Sequence, residues 1–154
     1  MEINSDYRDL LKTLNAAGVR YLVVGAYAVM AHTEPRYTKD LDVWVDPAEA
    51  NAHAVFLALA EFGAPLQGIT AWDFTQPETF YQLGVSPVRV DILTSLSGIE
   101  FAAAWERRVN VERGENQFHS AARNRGNLGR ARRTPGRPAF ASGAATGCGI
   151  IGVR

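Results

Sequence analysis

The two charge signs of this 154-residue chain are segregated, and the segregation limits where a fold can form. Residues 1–112 hold 8 basic against 15 acidic groups, net −7, whereas residues 113–154 hold 8 arginines, no lysine and the one acid Glu115, net +7. From Ser120 to Arg154, 23 of 35 residues are Ala, Gly, Arg or Pro, with no helical or strand period. The apolar pattern a core needs is confined to the first part. We therefore expect one domain over 1–112, an irregular tail over 113–154, and a change of composition near residues 113–120. The tail reads in three ways: a solvated arm, a basic arm that attracts phosphate, or the out-of-frame translation of a GC-rich gene. The abrupt change and the loss of lysine fit the third best.

Whole-chain composition excludes several classes. Sixteen basic and sixteen acidic residues cancel, so bulk charge does not make the chain a polyanion binder. Apolar residues at 47% and charged residues at 21% are a globular balance. The single cysteine, Cys148, excludes an internal disulfide and any cysteine-cluster zinc site. The polar start Met1-Glu2-Ile3-Asn4-Ser5-Asp6 is unlike a signal peptide, and no apolar run reaches the roughly 18 residues of a membrane span. The expected setting is the cytoplasm, with no membrane partner.

The pattern of residues 1–112 predicts the order α-β-α-β-α-β-β-α. Ser5 can cap a helix to about Ala17, with Tyr7, Leu10, Leu11 and Leu14 on one face. Tyr21 to Val24 is an all-apolar buried strand, Gly25-Ala26 a turn, and Ala26 to His32 a short helix. Asp40 to Val45 alternates with period two, as a strand does. Asp46-Pro47-Ala48-Glu49 reads as a helix start, the helix running to about Phe62 before Gly63. Phe80 to Leu83 and Val88 to Leu93 read as strands, and Ser97-Gly98-Ile99-Glu100 as a capping box before a last helix. The fold class is α/β (α+β): a small mixed sheet with helices packed on it.

Chemistry is concentrated in the strands. Asp40 and Asp42 lie at i and i+2, so their carboxylates project from one face while Leu41 and Val43 face a core. Like charges within about 7 Å repel unless a cation lies between them. Hard oxygen donors of this kind suit Mg²⁺, which takes one or two carboxylates together with phosphate oxygens. Asp91, inside the apolar strand Val88 to Leu93, is costly there unless paired or metal-bound. Upstream, Gly25-Ala26 separates a buried strand from a helix, where backbone N–H groups can approach a phosphate. A glycine turn, two acids and then a third acid make a layout for phosphoryl transfer.

The ordered segments Val23-Val24-Gly25-Ala26-Tyr27-Ala28, Arg36-Tyr37-Thr38-Lys39-Asp40-Leu41-Asp42-Val43 and Val90-Asp91-Ile92-Leu93 resemble the DNA polymerase beta-type nucleotidyltransferase superfamily. Arg36 and Thr38 ahead of the acid pair are most similar to small bacterial members, including those of abortive-infection and toxin–antitoxin systems. The resemblance covers roughly residues 5–110. It implies that Asp40, Asp42 and Asp91 bind Mg²⁺ or Mn²⁺, that Asp91 helps to deprotonate the attacking hydroxyl, and that Gly25 and Ala26 cradle the β- and γ-phosphates. Arg36 would reach a phosphate and Thr38 would orient the acid pair. The implied partners are a nucleoside triphosphate, an acceptor (protein, tRNA or small molecule) and a toxin–antitoxin partner protein. A non-catalytic module of the same fold is the alternative. Ala26 stands where many members carry a serine or second glycine.

The remaining polar and aromatic residues have plainer readings. His32, His53 and His119 lack metal-ligand spacing, and Trp44, Trp72 and Trp105 read as core. Gly147-Cys148-Gly149-Ile150-Ile151-Gly152 matches G-x-G-x-x-G literally, but no apolar strand precedes it.

Overall fold

The apolar run at residues 21–24 becomes the strand β1 (Tyr21–Val24), buried at every position. In the computed structural model, which describes residues 4–30, 40–85 and 88–122, it lies inside a six-stranded mixed sheet of order β3-β4-β2-β1-β6-β5. The other strands are β2 (Asp40–Val45), β3 (Phe80–Val85), β4 (Val88–Leu93), β5 (Val109–Arg113) and β6 (Asn116–Ser120). β2 runs antiparallel to β1 and parallel to β4, and β6 runs parallel to β1. The helices are α1 (Ser5–Ala16), α2 (Gly25–Met30), α3 (Glu49–Phe62) and α4 (Phe101–Glu106), with a 3₁₀ turn at Ala71–Thr75. The mixed α+β class is the one expected from the pattern.

Strand alternation divides the core into two layers. Tyr21 and Val23, Leu41, Val43 and Val45, and Val90 and Ile92 meet Leu10, Leu14, Val55 and Leu59 of α1 and α3 on one face. Leu22, Val24, Trp44 and Leu93 point to the other face, where Phe101 and Ala104 of α4 cover them. Trp44 meets the Phe101 ring edge-on, centroids 5.1 Å apart.

Several expectations change in detail. The sheet continues past residue 112, because the hairpin β5–β6 adds two strands up to Ser120. That hairpin is mostly polar. Among its described side chains, Val111 and Phe118 are the apolar ones that enter the main core, and its two-residue turn depends on Gly114 at φ +59°. Asn4, not Ser5, caps α1, its Oδ1 accepting from the Asp6 N–H at 2.9 Å. Neither the Asp46 helix start nor the Ser97 box provides a side-chain cap to its helix. Asp46 Oδ1 instead accepts from the Ala48 N–H ahead of α3, and α4 begins at Phe101 without a side-chain cap. The capping box that forms joins Thr70 and Asp73 at the 3₁₀ turn. Trp72, expected in the core, is 65% exposed; the 3₁₀ turn buries Phe74 in its place. The tail expectation for residues 123–154 and the G-x-G-x-x-G match lie outside the described residues.

Candidate active site

β2 and β4 run side by side in a register that sets Asp42 level with Asp91 and Asp40 level with Arg89. Neighbouring strands are about 4.8 Å apart, and residues level with each other project from the same face. Asp40, Asp42, Arg89 and Asp91 therefore share the face that carries Trp44 and Leu93. Gln82 on β3 is level with Asp91, and Val24 on β1 is level with Asp42. One row thus crosses the sheet from Gln82 through Asp91 and Asp42 to Val24, with Gly25 next along the chain.

Asp91 is fully buried. Its Oδ1 accepts a hydrogen bond from Gln82 Nε2 at 3.0 Å and lies 3.7 Å from Arg89 Nε. Asp40 Oδ2 accepts from Arg89 Nη2 at 3.0 Å. The Arg89 guanidinium thus spans both carboxylates, while its buried Nε–H has no acceptor within hydrogen-bond distance. The backbone beneath it is anchored: Tyr7 Oη donates to the Arg89 carbonyl at 3.0 Å and accepts from the Arg89 N–H at 3.1 Å.

Gly25 opens α2 at φ +70°, a conformation favoured by glycine, and a Cβ on it would run into Asp42 Oδ2. The absence of a side chain lets that carboxylate lie against the β1–α2 turn. Ala26, exposed in the first turn of α2, flanks the same opening. Arg36 and Thr38 lie outside the described residues.

The structure therefore brings Asp42, Asp91 and Gly25 together and holds Asp40 one position away, on Arg89. Among the described residues, no three His, Cys, Asp or Glu side chains converge as a ready metal cluster. The donor set nonetheless fits Mg²⁺, which is held by one or two carboxylates and phosphate oxygens rather than by an all-protein cage. The two hard carboxylates in register beside an open glycine meet that requirement. Neither Gln82 nor Arg89 is among the candidates read from the sequence, which shows only that Asp91 needs a partner or a metal. Their role follows from cross-strand register, which a local pattern does not reveal.

The other candidates are structural. His53 is exposed on α3. It lines a cavity of about 700 Å³ with Glu49, Trp72 and Thr75, which lies on the α3 side of the sheet, away from the aspartate row. His119 on β6 packs edge-on against Trp105, centroids 5.1 Å apart, with Nδ1 2.8 Å from Asn110 Oδ1. Burial, and then the Arg108 charge, lower its pKa from 6.5.

No protein-family model and no curated protein matches the chain. Among solved structures it is similar to a crystal structure from Thermotoga maritima described as a "putative nucleotidyltransferase", with 18% identity and a TM-score of 0.55 over 79% of this chain and 80% of that one. At that identity the similarity establishes the fold, which is nucleotidyltransferase-like.

Proposed function

We propose that the chain is a metal-dependent nucleotidyltransferase, moving a nucleoside monophosphate from a nucleoside triphosphate to an acceptor hydroxyl. The observation that carries this reading is the register of Asp42 against Asp91 beside Gly25. The acceptor oxygen bonds to the α-phosphorus, the bond to the β-phosphate oxygen breaks, and pyrophosphate leaves. Mg²⁺ or Mn²⁺, when bound, supplies charge neutralisation for the triphosphate. Asp40, Asp42 and Asp91 would hold it. Asp91, oriented by Gln82, would take the proton of the attacking hydroxyl. Gly25 and Ala26 would present backbone N–H groups to the β- and γ-phosphates, Arg36 would reach a phosphate and Thr38 would orient the acid pair. Catalysis is then chiefly positioning and charge compensation. The acceptor is a protein, a tRNA or a small molecule, and the expected setting is the cytoplasm.

Calorimetry with Mg²⁺ and each nucleoside triphosphate tests this. Metal-dependent binding that disappears in Asp40→Ala/Asp42→Ala supports the reading; no binding by the wild-type chain overturns it.

A second reading, a non-catalytic module pairing with a toxin–antitoxin partner, is favoured by one observation: Arg89 already compensates Asp40 and Asp91. Co-purification of a partner protein without pyrophosphate release would select it. Among the described residues, no helix is long and apolar enough to cross a membrane.

A further inference from the structure

We infer that Arg89 is a displaceable counter-ion, its guanidinium competing with the divalent cation for Asp40 and Asp91. The inference rests on the metal-dependent reading above and concerns how that site is loaded. Arg89 reaches both acids, yet unequally: a 3.0 Å hydrogen bond to Asp40 and a 3.7 Å ion pair to Asp91. Its Nε–H is buried without an acceptor, so the pairing leaves one donor unsatisfied. A guanidinium evolved as a permanent tie would more naturally form the two-pronged carboxylate fork.

The route out is open. The Arg89 side chain is 31% exposed and that of Asp40 44% exposed. The Arg89 backbone is held separately by Tyr7 Oη, so the side chain can leave Asp40 without loosening β4. A neutral clamp remains on Asp91, because Gln82 keeps its hydrogen bond to Oδ1. Asp40, the acid that stands apart from the Asp42–Asp91 pair, is the one engaged by the arginine hydrogen bond. Arg89 compensates Asp40 and Asp91 in the charge state that a divalent cation would otherwise meet, so the two cations compete for the same carboxylates.

The test is Mn²⁺ binding to the full chain, followed by electron paramagnetic resonance, with no turnover required. Arg89→Gln is expected to bind Mn²⁺ about tenfold more tightly than wild type, a coupling of ordinary size. Its metal-free melting temperature should fall below wild type, with saturating Mn²⁺ narrowing the gap. In an Asp40→Asn background the same substitution should yield much less of that gain, which separates direct competition from a general change of charge. Arg89→Lys keeps the charge but cannot span two carboxylates, so it should shift affinity in the same direction, and it serves if the glutamine variant does not fold. Equal or weaker Mn²⁺ binding by these variants overturns the counter-ion inference while leaving the metal-dependent reading intact. No Mn²⁺ binding by wild type or any variant, with or without a non-hydrolysable triphosphate, overturns both.

Discussion

Gly25 and Asp42 approach so closely that a Cβ on the glycine would overlap the Asp42 carboxylate, which would have to move to admit it. Gly25 also sits at φ +70°. Gly25→Ala therefore meets two costs, about 1–2 kcal/mol for an alanine in left-handed backbone and the displacement of a site carboxylate. Gly18 provides the control, at φ +67° with open space around it. In urea unfolding, Gly25→Ala should lose more stability than Gly18→Ala, and only Gly25→Ala should also weaken Mn²⁺ binding. Equal behaviour of the two variants would remove the steric argument.

Asp42→Asn and Asp91→Asn keep the shape of the row and delete its charge. Each should lower nucleotidyl transfer, read as pyrophosphate release, by roughly 10²–10³-fold, the scale of losing one preorganised electrostatic contact. Circular dichroism should remain that of the wild type. A variant retaining full turnover would exclude its aspartate from the chemistry.

The last hairpin should matter to stability although it is largely polar. Phe118 is 4% exposed within the main core, so Phe118→Ala should cost about 3–5 kcal/mol. Val109 on the partner strand is 36% exposed, and Val109→Ala should change stability by less than about 1 kcal/mol. Denaturant midpoints of the two variants measure the contrast.

Acidification should expose His119. Its folded pKa lies below 6.5 through burial and the nearby Arg108 charge, so the unfolded chain binds its proton first. Stability from this residue is complete above about pH 6.5 and declines as pH falls through the window below, because the unfolded state then holds more protons. His119→Gln should flatten the melting-temperature profile between pH 7 and 5. An unchanged slope would assign the pH dependence elsewhere.

How much of this was legible in the amino-acid order varies by element. The run Tyr21 to Val24 and the alternation of Asp40 to Val45 were readable because burial and strand period leave a local signature. So was the helix face of Tyr7, Leu10, Leu11 and Leu14, all four of which are buried. The helix starts were less so. Ser5 and Ser97 had capping chemistry, yet the cap bonds form at Asn4 and between Thr70 and Asp73, and Asp46 bonds the Ala48 N–H just ahead of α3 rather than the helix itself. Short polar side chains have several backbone partners within reach, and packing selects among them. The hairpin β5–β6 was obscured because its segment contributes only Val111 and Phe118 to the main core.

The candidate site divides along the same line. That Asp40 and Asp42 share a face follows from the two-residue repeat of an extended chain, a property of adjacent residues alone. That Asp91 stands level with Asp42, that Gln82 reaches Asp91, and that Arg89 holds Asp40 depend on β4 lying between β3 and β2. Strand order is set by burying both faces of the sheet at once, against α1 and α3 on one side and α4 on the other. That balance is a sum over contacts distant in the chain, so no local stretch of residues carries it.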